Sequence, residues 1–389
     1  MKIPKGIYTL AKQLNKEELA LPYIAVENRV IGSILPYLKE NGYNNVTLVV
    51  DKNTYEVAGK RLEEDLLDDG IRTHTVQLVA NSNKQVIADE ATLIQILVET
   101  PNHTDIYVAV GSGTIHDLVR FSGYKTNIPF ISVPTAASVD GFTSKGAPLI
   151  LRGVKQTIQT ASPVAVFADI DIVKEAPKEM TAAGFGDILA KYTSLFDWEI
   201  SKLIGEEPYN ELASRMTRRT LTQCVNSVDK IAHHDDEGIK ILMNSLIESG
   251  LIMLLLNYSR PASGGEHHLS HYWEMDLLKR EEKQMLHGAK VGVATAIIVE
   301  LYKQRLETIP SQSSSNWEKV LGLLERLPSP EEVRQLLHQV GGPTTTEDLD
   351  LDDELVKQSL NEAFLLRDRC TGLQLINRFK KSDLPYPLV

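Results

Sequence analysis

Four short apolar runs alternate with helix-like stretches over roughly the first 170 residues. Val46-Thr47-Leu48-Val49-Val50 ends at Asp51. Thr75-Val76-Gln77-Leu78-Val79 follows the polar stretch from Tyr55 to Leu67. Ile106-Tyr107-Val108-Ala109-Val110 ends at Gly111, and Phe130-Ile131-Ser132-Val133 at Pro134. Strands that are apolar throughout must be covered on both faces, and helices between them make the sheet parallel. Such a sheet binds ligands beyond the carboxyl ends of its strands. Asp51, Gly111-Ser112-Gly113-Thr114 and Pro134-Thr135 fall at those ends.

From about Thr181 the texture changes to long segments with a 3.6-residue period. Ser329-Pro330-Glu331-Glu332 carries a capping box, with Ser at the N-cap, Pro at the first helical position and Glu at the third. Gly341-Gly342-Pro343 is a helix stop. Pro310-Ser311-Gln312-Ser313-Ser314-Ser315-Asn316 reads as a loop between helices. At 389 residues, two domains are expected. The expectation is α/β plus all-α: a Rossmann-like parallel-sheet domain over residues 1–170, then a helical domain over 171–389.

Charge and cysteine usage narrow the function. The formal net charge is −11, with no basic stripe, which argues against nucleic acid as the partner. A locally positive pocket for a small anion stays compatible with it. Cys224 and Cys370 form no CxxC pair, and a reducing cytoplasm fits them. Met1-Lys2-Ile3-Pro4-Lys5-Gly6 lacks the apolar core of a signal peptide. The longest apolar run, Leu251 to Leu256, is too short to span a membrane.

Four of the ten histidines crowd into 21 residues, at His267, His268, His271 and His287. His267 and His271, four apart, share a helix face. His287 follows at a distance that suits a turn and the start of a second helix. With a carboxylate upstream, this spacing points to a divalent metal site, and two imidazoles plus one carboxylate leave positions open for catalysis. Asp187 in Gly184-Phe185-Gly186-Asp187 is a candidate carboxylate; spacing alone favours a surface pair with Lys191 instead. The two glycines there suggest close backbone approach to something. His233-His234-Asp235-Asp236 reads as a helix end or loop. Gly111 to Asp117 serves either as a phosphate cradle at a helix N-terminus or as a plain tight turn. Asp51 is either a ribose acceptor or a turn residue. The hydroxyl-rich stretch Pro134 to Lys145 lines a groove or forms an ordinary loop.

Assembled in order, these pieces resemble the glycerol-1-phosphate dehydrogenases. More broadly they resemble the superfamily of dehydroquinate synthase, glycerol dehydrogenase and iron-containing alcohol dehydrogenase. The pieces are Gly-Ser-Gly-Thr…Asp, Pro-Thr-x-x-Ser-x-Asp-Gly, Gly-Phe-Gly-Asp, Glu-His…His and His-Gly, and the likeness spans essentially the whole chain. It points to the bacterial, nickel-using branch. The resemblance implies that Asp187, His267 and His287 hold the metal, with nickel favoured and zinc or iron possible. It implies NAD or NADP contacts from Asp51, from Gly113, Thr114, Ile115, His116 and Asp117, from Thr135, Ala136, Ala137 and Ser138, and from Ser144. It implies catalytic or substrate contacts from Asp140, Asp187 and His271, and a homodimer. His268 has no assigned role. Two departures sort the relatives. Lys191 stands where iron-type alcohol dehydrogenases have a histidine. Glu-His-His-Leu-Ser-His and Asp187 replace the Gly-His-x-x-Gly-His and glutamate of dehydroquinate synthases.

The implied reaction is reversible reduction of dihydroxyacetone phosphate by NAD(P)H to sn-glycerol 1-phosphate, in a cleft between the two domains. The metal would polarise the carbonyl, and His271 would hydrogen-bond the substrate and relay the proton. Lys145, Arg152 and Lys290 are candidates for the substrate phosphate on charge alone. A polyol dehydrogenase acting on an unphosphorylated substrate is the alternative.

Overall fold

The computed structural model describes residues 3–309 and 315–388. The loop expected over residues 310–316 therefore lies largely outside the described residues, and the helix after it starts at Ser315. The chain forms two units, Met1–Thr181 with His233–Asn257, and Ala182–Ala232 with Tyr258–Val389. The boundary expected at residue 170 thus becomes a later, discontinuous division. The helix Asp236–Leu256 returns to the first unit.

In the first unit six strands form one parallel sheet. They are β1 (Tyr23–Glu27), β2 (Asn45–Val50), β3 (Arg72–Gln77), β4 (Ile106–Gly111), β5 (Phe130–Pro134) and β8 (Ala165–Asp169), ordered β1-β8-β5-β4-β2-β3. Every neighbouring pair is parallel. The three central runs foreseen in sequence lie on β2, β4 and β5, and β4 and β5 are buried along their whole length. The β3 run starts earlier than expected and stops at Gln77, leaving Val79 exposed. It is an edge strand with alternating burial, so its apolar pattern is weak. An antiparallel hairpin of β6 (Gly146–Leu151) and β7 (Val154–Gln159) stands apart from this sheet. The hairpin, β1 and β8 escaped the sequence reading. β1 has only three buried positions between exposed ends, and the exposed positions of β7 are mostly polar.

The returning helix has 21 residues and is apolar enough, by length and composition, to cross a membrane. Here most of it is core. It packs on β1 and on the helices Lys5–Gln13 and Ile170–Val173. Lys16 Nζ donates to the Leu255 carbonyl near its C-terminus at 2.7 Å. Apolar faces all round mark a buried helix. Asp235 caps its start by accepting from the Gly238 N–H at 2.6 Å, so the His233 to Asp236 stretch is a turn leading into a helix.

The described residues of the second unit carry helices and no strand. The helices Gly265–Lys279 and His287–Arg305 pack side by side around a core that includes Trp273, Leu301 and Tyr302. Ser329 and Glu332 make the expected capping box, with bonds of 3.1 and 2.6 Å. Gly341 ends that helix at φ +73°, a left-handed conformation natural to glycine.

Helix Lys178–Leu189 crosses His287–Arg305 with no side chain between them. A Cβ on Gly186 would collide with the Gly288 carbonyl, and a Cβ on Gly288 with the Ala183 carbonyl. The close approach anticipated at Gly186 is therefore to another helix backbone. We expect Gly288→Ala to cost about 1–3 kcal/mol, as overpacking does, and to lower the thermal unfolding midpoint by several degrees. Gly322→Ala, at a helical site with nothing within 4 Å, should leave the midpoint unchanged or raise it. Equal midpoints for the wild type and Gly288→Ala would show that the crossing tolerates a methyl group.

Candidate metal centre and dinucleotide loops

The glycine crossing places two side chains beside each other. Asp187 follows Gly186, and His287, the first residue of its helix, precedes Gly288. His267, in the first turn of Gly265–Lys279, completes the group. One ligand atom from each of Asp187, His267 and His287 lies within 4.8 Å of the others. His267 Nε2 is 3.6 Å from Asp187 Oδ1, a separation natural for two donors on one ion with bonds of about 2.0–2.2 Å. Two nitrogens and a carboxylate oxygen suit nickel, zinc or iron(II). The donor set thus fits a divalent ion.

Neighbouring groups orient these side chains. Glu266, fully buried, accepts from His267 Nδ1 at 2.7 Å, from the Gly264 N–H at 2.6 Å and from Thr193 Oγ1 at 2.7 Å. Burial works against the Glu266 charge, but its bond to His267 and the other donors hold its carboxyl below the ordinary range. With the Nδ1 proton committed to Glu266, the Nε2 lone pair faces Asp187. A carboxylate behind a ligating histidine is the usual way to fix its tautomer. Burial alone would make His267 harder to protonate, yet Asp187 and Glu266 raise its pKa. The same negative environment attracts a cation.

Asp187 is 1% exposed. Burial opposes its ionisation, but Lys191, His267 and His287 together hold its carboxyl below the ordinary range. Lys191 donates to the Asp187 backbone carbonyl at 2.8 Å and stands 3.9 Å from Oδ1. The Asp187–Lys191 pair therefore exists, but both members are buried; it is not the surface pair that spacing suggested. An ammonium there supplies charge balance where a histidine would have supplied a further donor.

Deeper in the unit, Asp197 ties two helix starts together. It accepts from the Gly265 N–H at 2.7 Å, the Gly372 N–H at 2.8 Å and Tyr302 Oη at 2.9 Å. Burial, with Glu266 nearby, pushes its carboxyl up to about 7. Helix N-termini favour a negative partner, so Asp197 anchors the helix that carries His267. Neither Glu266 nor Asp197 was singled out in sequence. The Glu-His pair was visible as a motif; Asp197 had no signal beyond being an acid in an apolar helix.

The ring of His271 lies 6.0 Å from that of His267 and 5.7 Å from that of His287. Its Nδ1 is 3.3 Å from Arg367 Nη2. Guanidinium can only donate, so Nδ1 accepts, and the tautomer that follows carries its proton on Nε2. His268, next to His267 on the same helix, is fully buried. Lys290 is buried and pairs with Glu274 at 3.3 Å, which removes it as a free cation. Arg152 sits in the turn between β6 and β7.

In the first unit, Asp51, Gly111-Ser112-Gly113 and Thr135 to Ser138 follow β2, β4 and β5, which are neighbours in the sheet. Their loops therefore share its carboxyl edge. The chain runs outward from β2 to β3 and returns to β4, so the topological switch point lies between β2 and β4. Gly113 opens the 14-residue helix Gly113–Thr126, whose first N–H groups are suited to an anion. Asp51 Oδ1 accepts from the Thr54 N–H at 2.8 Å and caps the next helix. The Thr135 N–H donates to the Gly111 carbonyl at 3.0 Å. Asp140 accepts from Ser249 Oγ at 2.8 Å.

Two of the expected cofactor contacts have side chains facing the core. Ile115 is 2% exposed and packs under Gly111. His116 is 1% exposed, with Nδ1 at 2.8 Å from the Ser112 carbonyl and Nε2 at 2.8 Å from Ser132 Oγ. Burial pushes its pKa down to about 3, so it is a neutral strut linking the turn after β4 to strand β5. Arg120, missed in sequence, is fully buried. It donates to the Gly141 carbonyl at 2.5 Å, the Gly146 carbonyl at 2.5 Å and the Phe142 carbonyl at 3.3 Å. It also reaches Ser144 Oγ at 3.4 Å and Asp117 at 3.2 Å. One side chain thus clamps the segment that holds Ser144.

Residues 25–177 match the family model described as iron-containing alcohol dehydrogenase. The glycerol-1-phosphate dehydrogenase [NAD(P)+] of Geobacillus thermodenitrificans is 45% identical over 96% of this chain and 97% of its own. That of Bacillus subtilis is 44% identical over 94% of each. Among solved structures, a probable glycerol dehydrogenase from Sinorhizobium meliloti superposes with a TM-score of 0.68, covering 92% of this chain and 95% of its own at 17% identity. This last match speaks to the fold alone. With near-full-length identity in the mid-forties, the chain belongs to the glycerol-1-phosphate dehydrogenase family of NAD(P)-linked, metal-dependent oxidoreductases.

Proposed function

We propose that this enzyme reversibly reduces dihydroxyacetone phosphate with NAD(P)H to give sn-glycerol 1-phosphate. The observation that carries the reading is the cluster of buried Asp187 and His267 with half-buried His287 in a chain of this family. Asp187, His267 and His287 would hold a divalent ion, which would supply Lewis-acid polarisation of the substrate carbonyl, and the nicotinamide would supply the hydride. Glu266 holds His267 in the ligating tautomer. Lys191 keeps Asp187 ionised. His271, with Nδ1 engaged by Arg367, keeps its proton on Nε2 and serves as proton donor to the developing carbinol oxygen. Asp140 and Ser144 are assigned to substrate and cofactor in the same reading. So are the loops at Asp51, Gly113 to Asp117 and Thr135 to Ser138, with Ile115 and His116 contributing backbone only. An acid at Asp51 would repel a 2′-phosphate, which favours NAD. The reading also carries nickel as the metal, a homodimer, and a reducing cytoplasm in which Cys224 and Cys370 stay thiols.

A chiral product assay with dihydroxyacetone phosphate and NADH, with and without added nickel, tests the proposal. The expected product is sn-glycerol 1-phosphate alone, formed faster with nickel. A higher kcat/KM for glycerol than for glycerol 1-phosphate would make the enzyme a polyol dehydrogenase instead. For His287→Ala, elemental analysis should find the bound metal gone and activity lost, with the helical circular dichroism spectrum retained. Full turnover of the metal-free variant would remove the metal from the mechanism. In His271→Ala we expect metal content to persist while kcat/KM falls about 100-fold or more, the usual scale of a lost proton donor. Metal loss in that variant would make His271 a ligand.

A further inference from the structure

The segment between the short helical turn Ala363–Leu366 and the helix Gly372–Phe379 brings two arginines to the histidine-bearing helix. Arg367 donates to Ser263 Oγ at 3.3 Å and to His271 Nδ1 at 3.3 Å. Arg369 donates to the Ser263 carbonyl. Among the described residues, neither guanidinium has a carboxylate oxygen within 4.0 Å. Nearby Arg260, by contrast, is paired with Glu207 at 2.6 Å. Burial and then the neighbouring Arg367 and Arg260 push the Arg369 pKa down to about 9. Two half-buried cations thus stand together with no carboxylate in salt-bridge contact among the described residues, Glu266 and Glu207 acting on them only from longer range.

A second observation falls at the same place. His268 is fully buried, and neither of its ring nitrogens has a hydrogen-bond partner among the described residues. It lies within electrostatic reach of both arginines, which help burial keep it neutral. Buried polar groups are rarely left unsatisfied without a functional reason, and unpaired buried charge is costlier still. A planar guanidinium matches the oxygens of a phosphate ester in two-point contact. Arg367 contacts the His271 ring, which lies 6.0 Å and 5.7 Å from the rings of His267 and His287. Over such distances a small phosphorylated ketone can reach the histidine cluster with its carbonyl and Arg367 with its phosphate.

We propose that Arg367 and Arg369, positioned by Ser263, form the subsite for the substrate's phosphate ester. The Arg367–His271 contact then couples phosphate recognition to the proton donor. Lys145, Arg152 and Lys290 are not needed for it. The inference rests on the phosphorylated substrate proposed above and names the residues that select it.

The test is the ratio of kcat/KM for dihydroxyacetone phosphate to that for dihydroxyacetone, measured with NADH on the metal-loaded enzyme. In Arg369→Met the ratio should fall about 30-fold or more, the scale of losing one partner of a buried charged pair. Competitive inhibition by inorganic phosphate should weaken in parallel. Arg369→Lys keeps the charge but loses the fork. It should give an intermediate ratio, and it carries the test if the Met variant does not fold. A wild-type ratio retained in both variants, with phosphate inhibition intact, would overturn the subsite. Failure of the wild type to turn over dihydroxyacetone phosphate would instead overturn the preceding function.

Discussion

The second unit depends on a contact made without side chains. Gly186 and Gly288 let two helices meet backbone to backbone, and the neighbours of those glycines are Asp187 and His287. In an interior packed at crystal-like density, one added methyl group cannot be absorbed without moving a helix. The separation of two candidate ligands is therefore set by a van der Waals limit rather than by flexible side chains. His267 arrives from a third helix whose start is held by Asp197 and whose own neighbour, Glu266, fixes the imidazole tautomer. Metal sites need such outer support as much as the ligands themselves.

Charge is distributed unevenly around this centre. Asp187 has Lys191 behind it, and Lys290 has Glu274. These buried pairs neutralise themselves. Arg367 and Arg369 make no such pair, and Arg367 contacts His271. An overall charge of −11 conceals this local positive field. Net charge speaks to bulk partners such as nucleic acid; a small anion responds to the nearest few groups.

The first unit follows a different logic. Its loops gather at one edge because parallel strands all end there, and the order of β5, β4 and β2 sets which loops are adjacent. Beneath them His116 and Arg120 act as fixed struts, each joining segments distant in sequence. They carry hydrogen bonds that would otherwise leave loop carbonyls and hydroxyls unsatisfied. The helix Asp236–Leu256 closes the unit from the far side of the chain, where Gly250 presses against Thr143 and Asp140.

Sequence alone determined what is periodic or local. The continuous apolar runs of β2, β4 and β5 required a covered parallel sheet. The capping box at Ser329 and the glycine stop at Gly341 set helix ends through neighbouring bonds. His267 and His271 shared a face because four residues make about one helical turn. Tertiary structure decided everything that hangs on the meeting of distant segments. It turned the Asp187–Lys191 pair inward and brought Thr193 to Glu266 as a hydrogen-bond donor. It drew the Asp236–Leu256 helix back into the first unit and set Arg367 beside His271 and Arg369 beside Ser263. None of these leaves a period or a neighbour pattern in the chain, because each is a contact between elements whose approach is fixed by packing.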